Sequence, residues 1–261
     1  MAAQPRLWRK FGVLFGMGVV GNLSLLPIAI PQIRQIVEHT DAALPSLPVL
    51  VIASQIQPLL LLGLAVAAGV RLAPSLHLRS HIAAWAGGEP QPEPRFRSQL
   101  RIAVGLGILA ALVVLALDHF LRPTLAETGG KDLRILQKQP AWATIAAVLY
   151  GGMNEELLTR WGLATFLAWA IGKIRKAPGS PTRGVMWTAV VLAALVFAAG
   201  HLPAVIAMGI PLSGPMIART LVLNAFAGVI FGWLYFRRSL ESAMLAHGTV
   251  HITWAVLSHL V

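Results

Sequence analysis

Three short groups of residues in an otherwise apolar chain have the types and spacings that chemistry needs. Asn154-Glu155-Glu156-Leu157-Leu158-Thr159-Arg160 sets two carboxylates near a guanidinium, Phe197-Ala198-Ala199-Gly200-His201 ends on one imidazole, and His247-Gly248-Thr249-Val250-His251 repeats an imidazole after four residues. On a helix Glu156 and Arg160 share a face, where each charge offsets the desolvation of the other. Glu155 is turned from Glu156 by roughly 100°. It has no local partner and points to a different neighbour, a position suited to taking a proton from water. His247 and His251 lie one turn apart on one face, so both can meet one metal ion, one water or one substrate oxygen.

Each group alone has a plain structural reading: glutamates and arginine that stitch helices together, or a histidine that packs. Two carboxylates, three imidazoles and a guanidinium on three separate apolar segments are hard to explain as packing, because every ionisable group at membrane depth costs a few kcal/mol or more. Other polar residues have simpler readings. Asp118 and His119 sit at a helix end within reach of water, His259 is terminal, and His39, His77 and His81 fall in loops or at interfaces, so all read as solvated groups. Asn224 reads as an interhelical hydrogen bond more readily than as a group facing substrate.

The elements that hold these residues follow from composition. With 261 residues, 56% hydrophobic and 12% charged, the chain cannot cover a soluble globule with polar side chains. Its solvent is mostly lipid. The 21 Lys and Arg against 10 Asp and Glu sit in short segments between apolar runs, a signal of membrane topology rather than of nucleic acid. The absence of cysteine removes disulfides, thiolate metal sites and a thiol nucleophile.

Apolar runs long enough to cross a bilayer occur at about 11–30, 47–70, 102–121, 141–171, 185–208, 217–236 and 239–260. The expectation is an all-α, polytopic transmembrane bundle of seven spans. The polar centre of the fourth run leaves eight spans or a re-entrant segment open. The N-terminal basic stretch, Met1 to Lys10, reads as the lead into a retained anchor. With the N-terminus cytoplasmic, 14 basic loop residues (Lys176 among them) fall on that side and 6 on the other, with Arg160 inside a span. Residues 1–98 read as a transmembrane hairpin followed by a linker, and 99–261 as a catalytic core. The linker contains Gly87-Gly88-Glu89-Pro90-Gln91-Pro92-Glu93-Pro94, whose prolines predict an extended, solvated chain. Gly12 with Gly16, and Gly228 with Gly232, have the spacing of close helix approaches within one chain. Pro203, just past His201, predicts a distorted fifth helix.

At the three motifs the chain resembles the CPBP family, the CAAX protease and bacteriocin-processing enzymes, which include type-two CAAX prenyl endoproteases and Abi-like proteins. Glu-Glu-x-x-x-Arg corresponds to Glu155, Glu156 and Arg160, Phe-x-x-x-His to Phe197 and His201, and the histidine motif to His247 and His251. The resemblance covers roughly residues 140–261. The chain departs from it at His251, where asparagine is commonest in the family. The resemblance implies an intramembrane endopeptidase acting on a membrane-associated protein or peptide. In it Glu155 is the base that activates water with help from His201, Glu156 and Arg160 hold the charge network, and His247 with His251 stabilises the oxyanion. The family carries both a metal-dependent and a metal-free description. A zinc site would draw on His201, His247 and His251, whereas the lack of a His-Glu-x-x-His helix favours the metal-free route.

Sixteen arginines against five lysines, with abundant Ala, Leu and Gly, suggest a GC-rich bacterial source and so a bacterial inner membrane. A peptide precursor or signalling protein is then a better substrate than a prenylated one. A proton- or cation-coupled transporter using the same buried residues is the alternative, and a non-catalytic membrane partner the third reading.

Overall fold

A computed structural model describes residues 6–40, 44–92, 94–124, 126–175 and 181–260. Met1, Glu93 and Lys176, invoked above for the anchor, the proline run and the charge bias, lie outside these residues. Among the described residues all regular structure is helical: α1 (Leu7–Leu23), α2 (Leu26–Glu38), α3 (Leu47–Leu72), α4 (His81–Gly87), α5 (Phe96–Leu121), α6 (Ala141–Leu149), π-helical stretches at Tyr150–Glu155 and Leu157–Ala164, α7 (Thr165–Ile174), α8 (Arg183–Ala199), α9 (Leu202–Ala207), α10 (Gly214–Arg237) and α11 (Leu240–Leu260).

Among the described residues four segments are long and apolar enough to cross a membrane: Leu47–Leu76, Phe96–Leu121, Arg183–Ala207 and Gly214–Arg237. The pair α1 and α2, bent by 52°, adds a fifth if it is one broken span. The two other expected spans are present as helix, one running from α6 through the π-helical stretches to α7 and the other being α11. These two carry the polar groups of the first and third motifs, which lowers their hydropathy. Side chains such as Ile52, Leu60 and Leu64 on α3 and Leu192, Leu195 and Val196 on α8 project outward, Leu64 at 69% exposure. Such an apolar surface is stable in lipid and not in water.

Two expectations are revised and a third is met. The run at 11–30 is not one rod: Pro27 stands in the first turn of α2, where it cannot supply the N–H that would continue α1. The run at 185–208 stands as one candidate span, Arg183–Ala207, with the expected distortion after Ala199, where Pro203 has no N–H for the Ala199 carbonyl one turn back and His201 sits in the break. The segment after α3 is not solvated throughout. Ser80 caps α4 through the Ala83 N–H, and the carboxylate of Glu241 at the start of α11 accepts from Ser80 Oγ at 2.6 Å and from the Ile82 N–H at 3.0 Å. His81 is buried against Gln99 of α5 rather than solvated, and Lys10 of α1 pairs with Glu89 at 2.6 Å. Extended chain is confined to the stretch after Gly88, whose φ of 70° closes α4.

Small residues set the helix spacing. A Cβ on Gly162 would lie 2.4 Å from the Ala65 Cβ of α3, one on Gly69 2.2 Å from the Trp161 ring, and one on Gly232 2.8 Å from Val190 of α8. Gly12 and Gly16 differ from the expectation: a Cβ at either meets nothing within 4 Å. Gly162→Ala and Gly232→Ala are therefore expected to lower stability by about 1–3 kcal/mol through overpacking, seen as a lower thermal unfolding midpoint in detergent. Gly12→Ala and Gly16→Ala should leave that midpoint unchanged.

Candidate active site

Glu156 is fully buried, and its Oε1 accepts two hydrogen bonds, from Arg160 Nη1 at 3.0 Å and from His247 Nδ1 at 2.8 Å. The first bond is the expected pairing across one turn. The second crosses to α11 and could not be read from spacing. Arg160, 1% exposed, also donates to Thr159 Oγ1 and to the Gly228 carbonyl of α10 at 2.8 Å, and its guanidinium lies over the rings of Phe197 and Phe231, 4.8 and 5.5 Å from their centroids. Gly228 is glycine for a reason: a Cβ there would lie 3.1 Å from Arg160 Nη2 and 3.0 Å from the Ala194 Cβ. One guanidinium thus joins the π-helical segment to α8 and α10 while neutralising the buried carboxylate.

The π-helical stretch Tyr150–Glu155 decides which side chain faces inward. Measured from Ala147, which lines the central cavity, an α-helix at 100° per residue would put Asn154 at the middle of that face and Glu155 at its edge. The wider i→i+5 turn shifts the face by one residue. Tyr150, Gly151 and Glu155 line the cavity, whereas Asn154 is buried against α1, where a Cβ on Gly18 would lie 2.9 Å from its Oδ1. Glu155 keeps access to the cavity, and its Oε2 stands 3.8 Å from His247 Nε2. Gly151 is a site residue that the motifs do not mark. A Cβ there would lie 2.6 Å from His251 Nε2 and 3.2 Å from His247 Nε2, so no other residue leaves room for both imidazoles. The Gly151-Gly152 pair just ahead of the first motif was the available signal.

Glu155, His201, His247 and His251 surround one cavity of about 370 Å³, whose walls include Val114, Ala147, Leu223, Ala227, Phe231, Val250 and Trp254. Glu156 and Arg160 stand behind its wall. His201 Nδ1 is 2.9 Å from the Phe197 carbonyl oxygen, a pure acceptor, so Nδ1 carries the proton and Nε2 is the open nitrogen. His247 is held in the same sense by the Glu156 carboxylate and is stacked between Phe231 at 4.5 Å and His251 at 5.1 Å. His251 meets the Trp254 ring edge-on. Asn224 differs from the expected interhelical bond: its Nδ2 donates to the Thr220 carbonyl of its own helix, and the residue lines the cavity.

One residue at the cavity end was misjudged from sequence position. Asp118 is fully buried, clamped by Arg122 at 2.6 Å and by Arg219 at 2.6 Å, and not a solvated helix end. Arg219 also donates to the Leu133 carbonyl, and Lys131 donates to the Met208 carbonyl. These bonds hold the loop after α5 across the cavity, with Ile135 in its wall. The pairing joins residues 101 apart in sequence, so no local pattern announces it.

Among the described residues no group of three or more His, Asp or Glu side chains is placed to hold a metal ion. His247 has one nitrogen committed to Glu156 and the other beside Glu155, and the His201 nitrogen nearest its own helix is committed to Phe197. His201, His247 and His251, the candidate zinc donors, all line the cavity, the first two with Nδ1 held by a protein acceptor.

Residues 137–253 match the family model described as type II CAAX prenyl endopeptidase Rce1-like, a protease family. The matched region contains all seven residues of the three motifs. Comparison with curated proteins and with solved structures finds no match. The apolar helices and the family together make the chain an integral membrane protein. Residues 137–253 thus match the Rce1-like type II CAAX prenyl endopeptidase model, a family that the three motifs resemble.

Proposed function

We propose that the chain hydrolyses a peptide bond of a membrane-associated protein or peptide, with Glu155 as the base that activates water. The observation that carries this reading is the gathering of Glu155, His201, His247 and His251 around one cavity between lipid-facing helices. Water in that cavity meets the Glu155 carboxylate and the open Nε2 of His201, so its proton passes to Glu155 while its oxygen attacks the carbonyl carbon. The oxyanion forms beside His247. Glu156 holds His247 through its Nδ1–H and fixes the ring beside that oxygen, and the ring N–H of the neutral His251 stacked on it is the hydrogen-bond donor. Arg160 balances Glu156 in the resting site and fixes its orientation.

The apolar cavity wall suits a substrate segment delivered from the bilayer, and a peptide precursor or a signalling protein fits the inferred bacterial inner membrane better than a prenylated protein. The N-terminus is assigned to the cytoplasmic side on charge bias alone. The transporter alternative gains nothing from the matched family, which is one of proteases. The metal-free route is preferred because the chain lacks a His-Glu-x-x-His helix.

Glu155→Gln and His201→Ala are each expected to lower cleavage of a membrane-tethered peptide in proteoliposomes by about 10²–10⁴-fold while the unfolding midpoint stays at the wild-type value. Wild-type turnover in both variants would end the hydrolytic assignment. Glu156→Ala should behave differently, losing about 3–5 kcal/mol of stability because it strands the Arg160 charge in the interior, which a thermal melt in detergent reads directly. Elemental analysis of active protein washed with chelator is expected to find full activity without stoichiometric metal. Activity that falls on chelation and returns with zinc would replace this mechanism with a metal-dependent one.

A further inference from the structure

One stripe of α10 faces the cavity: Arg219, Asn224, Ala227 and Phe231 all line it. Phe231 marks the chemical end, because its ring stacks on His247, whose Nε2 stands beside Glu155. Arg219 marks the other end, where Asp118 and the Leu133 carbonyl hold it. At 1.5 Å per residue the stripe covers roughly 18 Å, so the cavity is a slot along the helix with the length of about five residues of extended chain. Asn224 lies between the two ends, roughly 10 Å along the axis from Phe231. Its Nδ2 donates at 2.8 Å to the Thr220 carbonyl of the preceding turn, which orients the carboxamide. Among the described residues no other protein group bonds that side chain, so one N–H and Oδ1 are left for whatever fills the cavity.

A peptide bond in a lipid-embedded segment is open to attack only when the helix around it is unwound. Each N–H and C=O so freed needs a hydrogen-bond partner, which neither lipid nor an apolar wall supplies. Leu223, Ala227 and Val250, which share the cavity wall with Asn224, have no side-chain group that can serve. A carboxamide carries both a donor and an acceptor, the complement of a peptide group. We propose that Asn224 binds the backbone of the unwound substrate, accepting from a peptide N–H and donating to a peptide C=O about three residues from the scissile bond. The inference rests on the hydrolytic reading of Glu155 and extends it to how the substrate is held. Asn224 fixes the register in which the chain lies along α10, so that the scissile bond comes to rest between Glu155 and His247, and it touches none of the reacting atoms.

The test uses a synthetic membrane-tethered peptide that the wild type cleaves in proteoliposomes, with the cut mapped by mass spectrometry. A companion series replaces one backbone amide at a time, within four residues of the cut, by an ester. In the wild type, an ester at one position about three residues from the cut is expected to raise KM by about 5–10-fold, the loss of one hydrogen bond, with kcat within twofold. Asn224→Ala should raise KM by a similar factor on the all-amide peptide while kcat and the unfolding midpoint stay at wild-type values. It should show no added loss with the sensitive ester, because the two changes delete the same bond. The ester series on wild-type protein decides the matter by itself if Asn224→Ala lowers the midpoint. Wild-type KM in Asn224→Ala, losses that add, a fall in kcat alone, or no sensitive ester position overturns the role of Asn224, and an inactive Glu155→Gln then leaves the hydrolytic reading standing. Activity retained by Glu155→Gln removes the hydrolytic reading itself.

Discussion

A carboxylate placed between helices in a lipid-embedded bundle must be paired or given up, and the organisation of this protein follows from how Glu156 is paired. Its Oε1 takes one hydrogen bond from Arg160 and one from His247. Arg160 spans from there to the Gly228 carbonyl and to the faces of Phe197 and Phe231. The π-helical segment, α8, α10 and α11 are thereby fixed to one small polar centre. Removing a member exposes the others to an uncompensated charge in a medium that cannot solvate it, which makes the arrangement all-or-none. The same constraint positions chemistry, since the bond that neutralises Glu156 also turns His247 so that Nε2 faces Glu155.

The π-helical register distributes the remaining polar groups. One extra residue per turn exchanges Asn154 for Glu155 at the cavity and aligns Tyr150 with it. Gly151 supports that geometry from the other side by leaving room for two imidazoles. A π-helical turn is less favourable than an α-helical one, and it persists because the tertiary contacts of Glu156, Arg160 and Asn154 over-determine it.

Helices outside the family match hold this segment in place. Trp161 packs on Gly69 of α3, Gly162 on Ala65, and Asn154 on Gly18 and Gly21 of α1. At the far end of the bundle, Glu241, Ser80, His81, Gln99 and the Lys10–Glu89 pair join α1, α4, α5 and α11 through buried polar contacts. At the other end, Arg219 and Asp118 secure the loop that bears Ile135 over the cavity. The N-terminal helices and this loop are, in physical terms, part of the frame that sets the position of Glu155.

Much was legible in the amino-acid sequence because the bilayer imposes a strict code. Apolar runs have to be helices, so the helical elements bearing the three motifs were readable, and ionisable groups inside such runs are costly enough that Glu155, Glu156, Arg160, His201, His247 and His251 stood out by type alone. Local backbone chemistry was legible too, as with Pro203 and the break beside His201. Illegible were the contacts between segments remote in sequence and the departures from the α-helical period. Asp118 looked solvated until α10 brought Arg219 to it, His81 until α5 brought Gln99, and Gly12 and Gly16 had the spacing of a tight interface without facing one. The sequence by itself determined a helical membrane protein, its matched family and the candidate chemical groups, since these follow from residue type and spacing. Only the tertiary structure decided that Glu156 rather than Glu155 is sealed away, that Tyr150 and Gly151 join the cavity, and that the imidazoles are already engaged by protein partners, because register and cross-helix pairing are set by packing between segments far apart along the chain.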